Sequence, residues 1–214
     1  MMNPQRNVRP LPRRTQRERR ELSHHRMLDA ALTLIARQGS SRTTLSQIGE
    51  ASGYTHGLVS HRFGCKEQLV RTLIQKLQTD FAKSVLPELK GKNGIKALKL
   101  LSEKYLRATA QSARLALYVL IGEALGPVPE IRPELAKADE NFRRSIQKLI
   151  EDGIRAGEIR ATVDARTQAA LILATLRGLV IQRILHPDSF DVEMVCKDMK
   201  SNLERTLKPA GRRA

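Results

Sequence analysis

Residues 44–67 read Thr-Leu-Ser-Gln-Ile-Gly-Glu-Ala-Ser-Gly-Tyr-Thr-His-Gly-Leu-Val-Ser-His-Arg-Phe-Gly-Cys-Lys-Glu. Thr43 and Thr44 offer an N-cap hydroxyl ahead of Leu45, Ile48 and Ser52, which share the inward face of one short helix. Gly53 suits the left-handed backbone of a tight turn. Thr55 then caps a second short helix, with Val59 and Phe63 one turn apart and pointing inward. Thr55, His56, Leu58, Ser60, His61 and Arg62 are left for the outer or flanking surface. Two short helices joined by so tight a turn make a helix-turn-helix, whose second helix is shaped to enter the DNA major groove.

Outward from this motif the pattern stays helical. Upstream, Leu28, Ala31, Leu32 and Ile35 fall at i, i+3, i+4 and i+7, giving a helix from Ser23 that Gly39 stops. Residues 1–22 carry seven arginines, Arg13 and Arg14 among them, with three prolines and few apolar residues. Such a segment is expected to be a mobile arm that follows phosphates or enters the minor groove. Downstream, Gly64 breaks the helix and a long one opens near Lys66, with Leu69, Leu73, Leu77 and Phe81 in one stripe and Pro87 at its end. Further stripes include Ile95, Leu98, Leu101 and Tyr105, then Leu115, Tyr118 and Ile121, then Leu135, Ala138, Phe142, Leu149 and Ile150. Asp164 can cap an apolar helix over 165–185, and Ser189 or Asp191 can open a last one carrying Val192, Val195, Met199, Leu203 and Leu207. The expectation is an all-α chain of about nine helices and no sheet.

Composition narrows the function. Lys and Arg number 38 against 22 Asp and Glu, a net charge of +16, so the partner is a polyanion. Residues 1–66 hold 12 basic and 4 acidic residues, a net +8 on under a third of the chain. The charge is densest where the helix-turn-helix lies. Cys65 and Cys196 form no C-x-x-C and fit free thiols in a reducing cytoplasm. No apolar run approaches the ~18 residues of a membrane span, and no helix has the face of an interfacial anchor. A cytoplasmic protein without membrane contact is expected. Phosphate loops, nucleophile elbows and His-Glu-x-x-His are absent, which argues against an enzyme. His56 and His61 are five apart and miss the spacing that aims two ligands at one metal, so no metal or cofactor is expected.

The chain resembles the TetR family of bacterial transcription regulators. The likeness is carried by residues 26–69: Arg-Met-Leu-Asp-Ala-Ala-Leu-Thr-Leu-Ile-Ala-Arg-Gln-Gly, Thr-Thr-Leu-Ser-Gln-Ile-Gly, Gly-Tyr-Thr-His-Gly-Leu-Val-Ser-His-Arg-Phe and Lys-Glu-Gln-Leu. The resemblance implies a homodimer whose first three helices bind double-stranded DNA, with a fourth as connector and the rest as a ligand-binding and dimerisation domain. It also makes Thr44 and Lys66 phosphate contacts, as their places near helix N-termini would suit. The chain departs from the pattern at Ser60, where the family often has Tyr, and at Arg62, where an aromatic is common. One phosphate contact is thereby lost, and Arg62 can replace it electrostatically. Cys65 stands where a better cap, Ser or Asp, is usual.

The expected organisation is an arm over 1–22, a DNA-binding domain over 23–68 and a ligand-binding and dimerisation domain over 69–208. Tyr105, Tyr118 and Arg177 are polar groups among apolar stripes and are candidates to face a cavity for a small-molecule effector. The last two helices are more apolar than a small domain needs. Ala170, Ala174, Gly178, Val195 and Met199 are therefore candidates for the dimer interface. The function expected is that of a repressor which binds a palindromic operator and is released by its effector. The alternative is a sequence-tolerant architectural DNA binder, which would not need the large helical C-terminal region.

Overall fold

Thr15 opens the first helix with a capping box: its hydroxyl accepts from Glu18 N, and the Glu18 carboxylate accepts from Thr15 N at 2.7 Å. That helix, α1 (Gln16–Arg42), is the first of nine α-helices in the computed structural model, which describes residues 15–108 and 111–209. There follow α2 (Leu45–Ser52), α3 (His56–Phe63), α4 (Lys66–Leu89), α5 (Gly94–Arg107) and α6 (Gln111–Leu125). A 3₁₀ turn over Pro129–Ile131 leads into α7 (Arg132–Arg155), and α8 (Ala165–Leu185) and α9 (Val192–Leu207) follow. No strand occurs among the described residues.

Local chemistry explains most boundaries. Thr44, Thr55, Asp164 and Asp191 each accept a hydrogen bond from a backbone N–H in the first turn they open. Cys65, at the corresponding place before α4, makes no such bond. Gly39 breaks α1 with φ +82°, and a single further turn then runs to Arg42.

Three expectations are corrected. Helix α1 begins at Gln16, because the Thr15–Glu18 box supplies a start that a search for apolar stripes passes over. Residues 16–22 are therefore helix, while Arg13, Arg14 and the rest of the arm lie outside the described residues. Pro87 does not end α4; it sits in the last turn, which closes at Leu89. Finally, α8 is 21 residues long with a mean hydropathy of 1.4, enough by length and composition to cross a membrane. Arg177 interrupts its apolar run, so the helix holds no unbroken apolar stretch of that length.

Two cores hold the chain. The first joins Met27, Leu28 and Ile35 of α1 to Ile48, Val59, Phe63 and the start of α4 at Leu69 and Leu73. Ala116, Leu120 and Ala124 of α6 also belong to it, with Ala138 of α7. The helix-turn-helix unit thus buries its apolar stripe against α6 as well as α4, so no clean boundary falls at 68. The second core packs α5, α7, α8 and α9 around Leu98, Ile146, Ile150, Leu173, Leu176 and Leu203. Burying each such Leu or Ile stabilises the fold by about 1.5–3 kcal/mol before the cost of ordering the chain.

Candidate DNA interface and ligand crevice

The helix-turn-helix closes tightly. Tyr54 N donates to Gly49 O at 2.8 Å, and a Cβ on Gly49 would stand 2.8 Å from Tyr54 O. Gly53 takes the left-handed conformation, φ +78°, in that turn. Val59 and Phe63 anchor α3 beneath, which turns Thr55, His56, Leu58 and His61 outward and exposes them. Ser60 is half-buried, with its Oγ 3.3 Å from His56 Nε2. The bond can pre-orient the imidazole at the helix surface.

Arg62 does not lie with the outward set. It is half-buried and its Nη2 donates to Ser23 Oγ at 3.3 Å, because α3's inner flank faces α1. Beside it His24 stacks on Phe63 with ring centroids 5.2 Å apart. Burial, then the nearby Arg62 charge, holds the His24 pKa below the ordinary histidine value.

Thr44 and Lys66 come together around one loop. Thr44 Oγ1 accepts from Gln47 N at 3.2 Å and Gln47 Oε1 accepts from Thr44 N at 2.9 Å, so the Thr44 hydroxyl proton is still available to a phosphate. Lys66 Nζ donates to Ser41 O at 3.2 Å, which brings its charge to the segment just before α2. Two helix N-termini, a hydroxyl and an ammonium on one side of the motif suit a phosphate backbone.

Glu123 has a role that its place in the sequence does not announce. Its carboxylate accepts from Ser40 N at 3.0 Å, Ser40 Oγ at 2.5 Å and Ser41 N at 3.2 Å. It thereby caps the short turn after Gly39 from across the α1–α6 junction. Burial raises its pKa, but the Ser40 and Ser41 bonds outweigh that and leave it below the ordinary carboxylate value. The available signal was a carboxylate set in an otherwise apolar run, Ile121 to Leu125.

Between the two cores lies a crevice with two chambers, of about 240 and about 730 Å³. Leu77 and Phe81 of α4, Tyr105 of α5 and Leu117 of α6 line both chambers. Phe81, Tyr105 and Phe142 form an aromatic cluster with all three centroid separations between 5.3 and 5.5 Å. In a chain with only 4 Phe and 3 Tyr, that concentration at one cavity is the clearest departure from an aliphatic core. The three residues read from sequence as cavity candidates do meet here. Tyr105 and Tyr118 hydroxyls are 3.4 Å apart, and Tyr118 donates to Arg177 O at 3.3 Å. Arg177 lines the smaller chamber and pairs with Asp139 at 2.5 Å. Burial, with Tyr105 adding to it, pushes the Tyr118 phenol well above the ordinary tyrosine value, so its hydroxyl keeps its proton.

The outer face of α8 exposes large apolar residues, and α9 adds one beside an otherwise polar surface. Leu171, Ile181 and Leu185 of α8 are 55, 42 and 79% exposed, and Met194 of α9 is 56% exposed. Ala170 and Ala174 are exposed with them and Gly178 is half-buried. Val195 and Met199 differ from the expectation: both pack half-buried against the chain's own second core, and Met194 holds the open position on that helix.

Known proteins match this chain along most of its length. The family model "Bacterial regulatory proteins, tetR family" matches residues 27–73, and "BetI-type transcriptional repressor, C-terminal" matches residues 96–208. The HTH-type transcriptional regulator TtgR of Pseudomonas putida is 25% identical over 187 residues, 84% of this chain and 88% of that protein. Among solved structures, a TetR-family regulator from Rhodococcus sp. superposes with a TM-score of 0.79 at 17% identity, covering 88% of this chain and all of that one. The regulator FadR of Bacillus subtilis, solved in complex with stearoyl-CoA, superposes with a TM-score of 0.74 at 20% identity, covering 84% of this chain and 97% of that one. These relatives are regulators, and none of them supports the architectural alternative.

Proposed function

Because the chain belongs to the TetR family of bacterial transcription regulators, we propose that it is a dimeric repressor which binds an inverted-repeat operator and lets go when a small molecule fills the crevice. The observation that carries the reading is the double duty of α4 and α6. Helix α4 gives Leu69 and Leu73 to the DNA-binding core and Leu77 and Phe81 to the crevice. Helix α6 gives Ala116 and Leu120 to the same core and Leu117 to the crevice. A ligand that spreads the chambers therefore pushes on the two helices against which the reading unit rests.

Release needs only a small displacement. Two recognition helices related by a two-fold axis must fit major grooves about one helical turn apart, so a shift of a few Å per subunit loses the match. The second subunit is supplied by the open apolar face of α8, with Ala170, Ala174 and Gly178 allowing close approach and Met194 at its edge. That pairing also accounts for a helix as apolar as α8 in a protein that works on DNA in the cytoplasm. Thr44 and Lys66 position the phosphates, and Thr55, His56, Leu58 and His61 read bases.

Selection from random DNA tests the first half: the expected product is an inverted repeat, and a pool with no palindromic motif rejects the reading. A metabolite screen tests the second half by scoring thermal stabilisation and operator release together. By linkage, an effector that weakens operator binding must itself bind the operator complex more weakly. If every stabilising compound leaves operator affinity unchanged, the crevice is not a control site.

A further inference from the structure

The walls of the larger chamber are charged unevenly. Three carboxylates line it and each already has a cation: Asp80 with Lys76 at 2.5 Å, Glu88 with Lys104 at 2.5 Å, and Glu103 with Lys200 at 2.7 Å. Two of its cations are likewise paired, Lys104 with Glu88 and Arg107 with Glu103 at 3.0 Å. Arg114 lines the same chamber, half-buried, and makes no ion pair among the described residues. Its guanidinium donates instead to Tyr105 O at the end of α5. A second guanidinium, that of Arg183, donates to the neighbouring carbonyl, Leu106 O, at 2.8 Å. The positive charges at this spot face carbonyl dipoles and one another, with no carboxylate to neutralise them.

From this arrangement we propose that the effector is an amphipathic carboxylate, its acid group held by Arg114 and its hydrocarbon chain running past Phe81 and Leu117 into the smaller chamber. The inference rests on the reading of the crevice as an effector site and names the chemistry of its occupant. Arg114 and Tyr118 stand one turn apart on α6 and both line the chamber. Tyr118 already donates to Arg177 O, so the hydroxyl of Tyr105, which lines the same chamber 3.4 Å from it, is the one that can turn to donate to a bound carboxylate. A guanidinium offers five N–H donors in a planar fork that fits a carboxylate, and α5 engages only part of it. Burial, strengthened by the Arg183 charge, disfavours the charged state of Arg114, and an incoming anion relieves that cost. The neighbouring walls, with Leu77, Phe81 and Leu117 in common, are apolar and suit an alkyl or aryl tail.

Isothermal titration of the full chain with three ten-carbon probes below their micelle concentrations tests the proposal: decanoate, decan-1-ol and decylamine. Decanoate is expected to bind at least about tenfold more tightly than decan-1-ol, and decylamine more weakly than either. Arg114→Met should bring decanoate down to the level of decan-1-ol while leaving the alcohol unchanged, and Arg114→Lys should keep part of the preference. Equal binding of acid and alcohol by the unaltered protein overturns the proposal, as does a preference for the amine. So does an Arg114→Met protein that still prefers the acid. In each of those cases the crevice still takes a ligand. Binding of none of the probes also overturns the proposal, and the metabolite screen then decides whether the crevice takes an effector of another kind. The comparison among probes needs no variant, so a variant that folds poorly does not spoil it.

Discussion

A Cβ on Gly39 would stand 2.6 Å from Glu123 Oε1, and the same carboxylate takes three hydrogen bonds from Ser40 and Ser41. The break in α1 and the carboxylate of α6 are thus one feature: the glycine bends the chain away, and Glu123 caps the donors that the bend exposes. Glu123→Gln should lower stability by about 1–3 kcal/mol, the usual loss when a charged acceptor of partly buried donors is weakened. Gly39→Ala should cost at least as much, since it adds a positive-φ strain to the clash. Because the folded pKa of Glu123 is depressed, its contribution is full above the unfolded carboxylate value and is lost as pH falls through the folded one. Chemical denaturation from pH 7 down to pH 3 should show a smaller acid loss in Glu123→Gln than in the parent.

His24 supplies a second pH dependence at higher pH. Its folded pKa is lowered by burial and by Arg62, so the neutral ring is the one that stacks on Phe63. Stability from this contact is full above the unfolded histidine value, about 6.5, and declines as pH falls below it toward the lower folded value. Melting curves between pH 7.5 and pH 5 should flatten in His24→Phe. An unchanged slope would mean that another group carries the dependence.

Contacts that position and contacts that read should separate in DNA binding. Lys66→Ala should weaken binding to all sequences alike and reduce the salt slope by about one counterion. His56→Ala should cost about 1–3 kcal/mol at a single base position and relax the preference there. Arg62→Ala should act chiefly on stability, because its guanidinium faces Ser23. Competition binding against a library of single-base operator variants distinguishes these outcomes.

For the dimer, the positions to alter are those that the structure leaves open. Leu171→Glu together with Ile181→Glu should give folded monomers by sedimentation, with operator affinity reduced in proportion. Charges at Val195 or Met199 should mainly destabilise the subunit, as both pack on its own core. A monomeric parent protein would refute the interface altogether.

Helices α5 and α7 cross at a pair of glycines. A Cβ on Gly153 would stand 2.7 Å from Gly94 Cα and from Ile159 Cδ1. Gly153→Ala should cost about 1–3 kcal/mol as an overpacked contact between backbones. Thermal unfolding is the readout, and a rise in stability would show that the crossing has slack.

The sequence by itself determined what is local in this protein. Apolar residues at helical spacing, the hydroxyls of Thr44 and Thr55 and the carboxylates of Asp164 and Asp191 mark helices because capping and periodicity act within a few residues. The same locality made the turn at Gly53 and the outward face of α3 readable, since Val59 and Phe63 leave only one side of a short helix free. Tyr105, Tyr118 and Arg177 could be singled out for the same reason, as polar groups in apolar stripes. Tertiary structure alone decided which surfaces meet. Glu123 looks idle in the chain because its partners lie 82 and 83 residues away. Arg62 and the pair Val195 and Met199 have polarity or spacing that fits an outward role, yet helix packing rotates them toward the chain's own interior. Arg114 reads as an ordinary basic residue until the fold half-buries it near Arg183 with no ion pair among the described residues. Charge and hydropathy are properties of a residue, but whether a charge is compensated depends on neighbours that only the folded chain brings within a few Å.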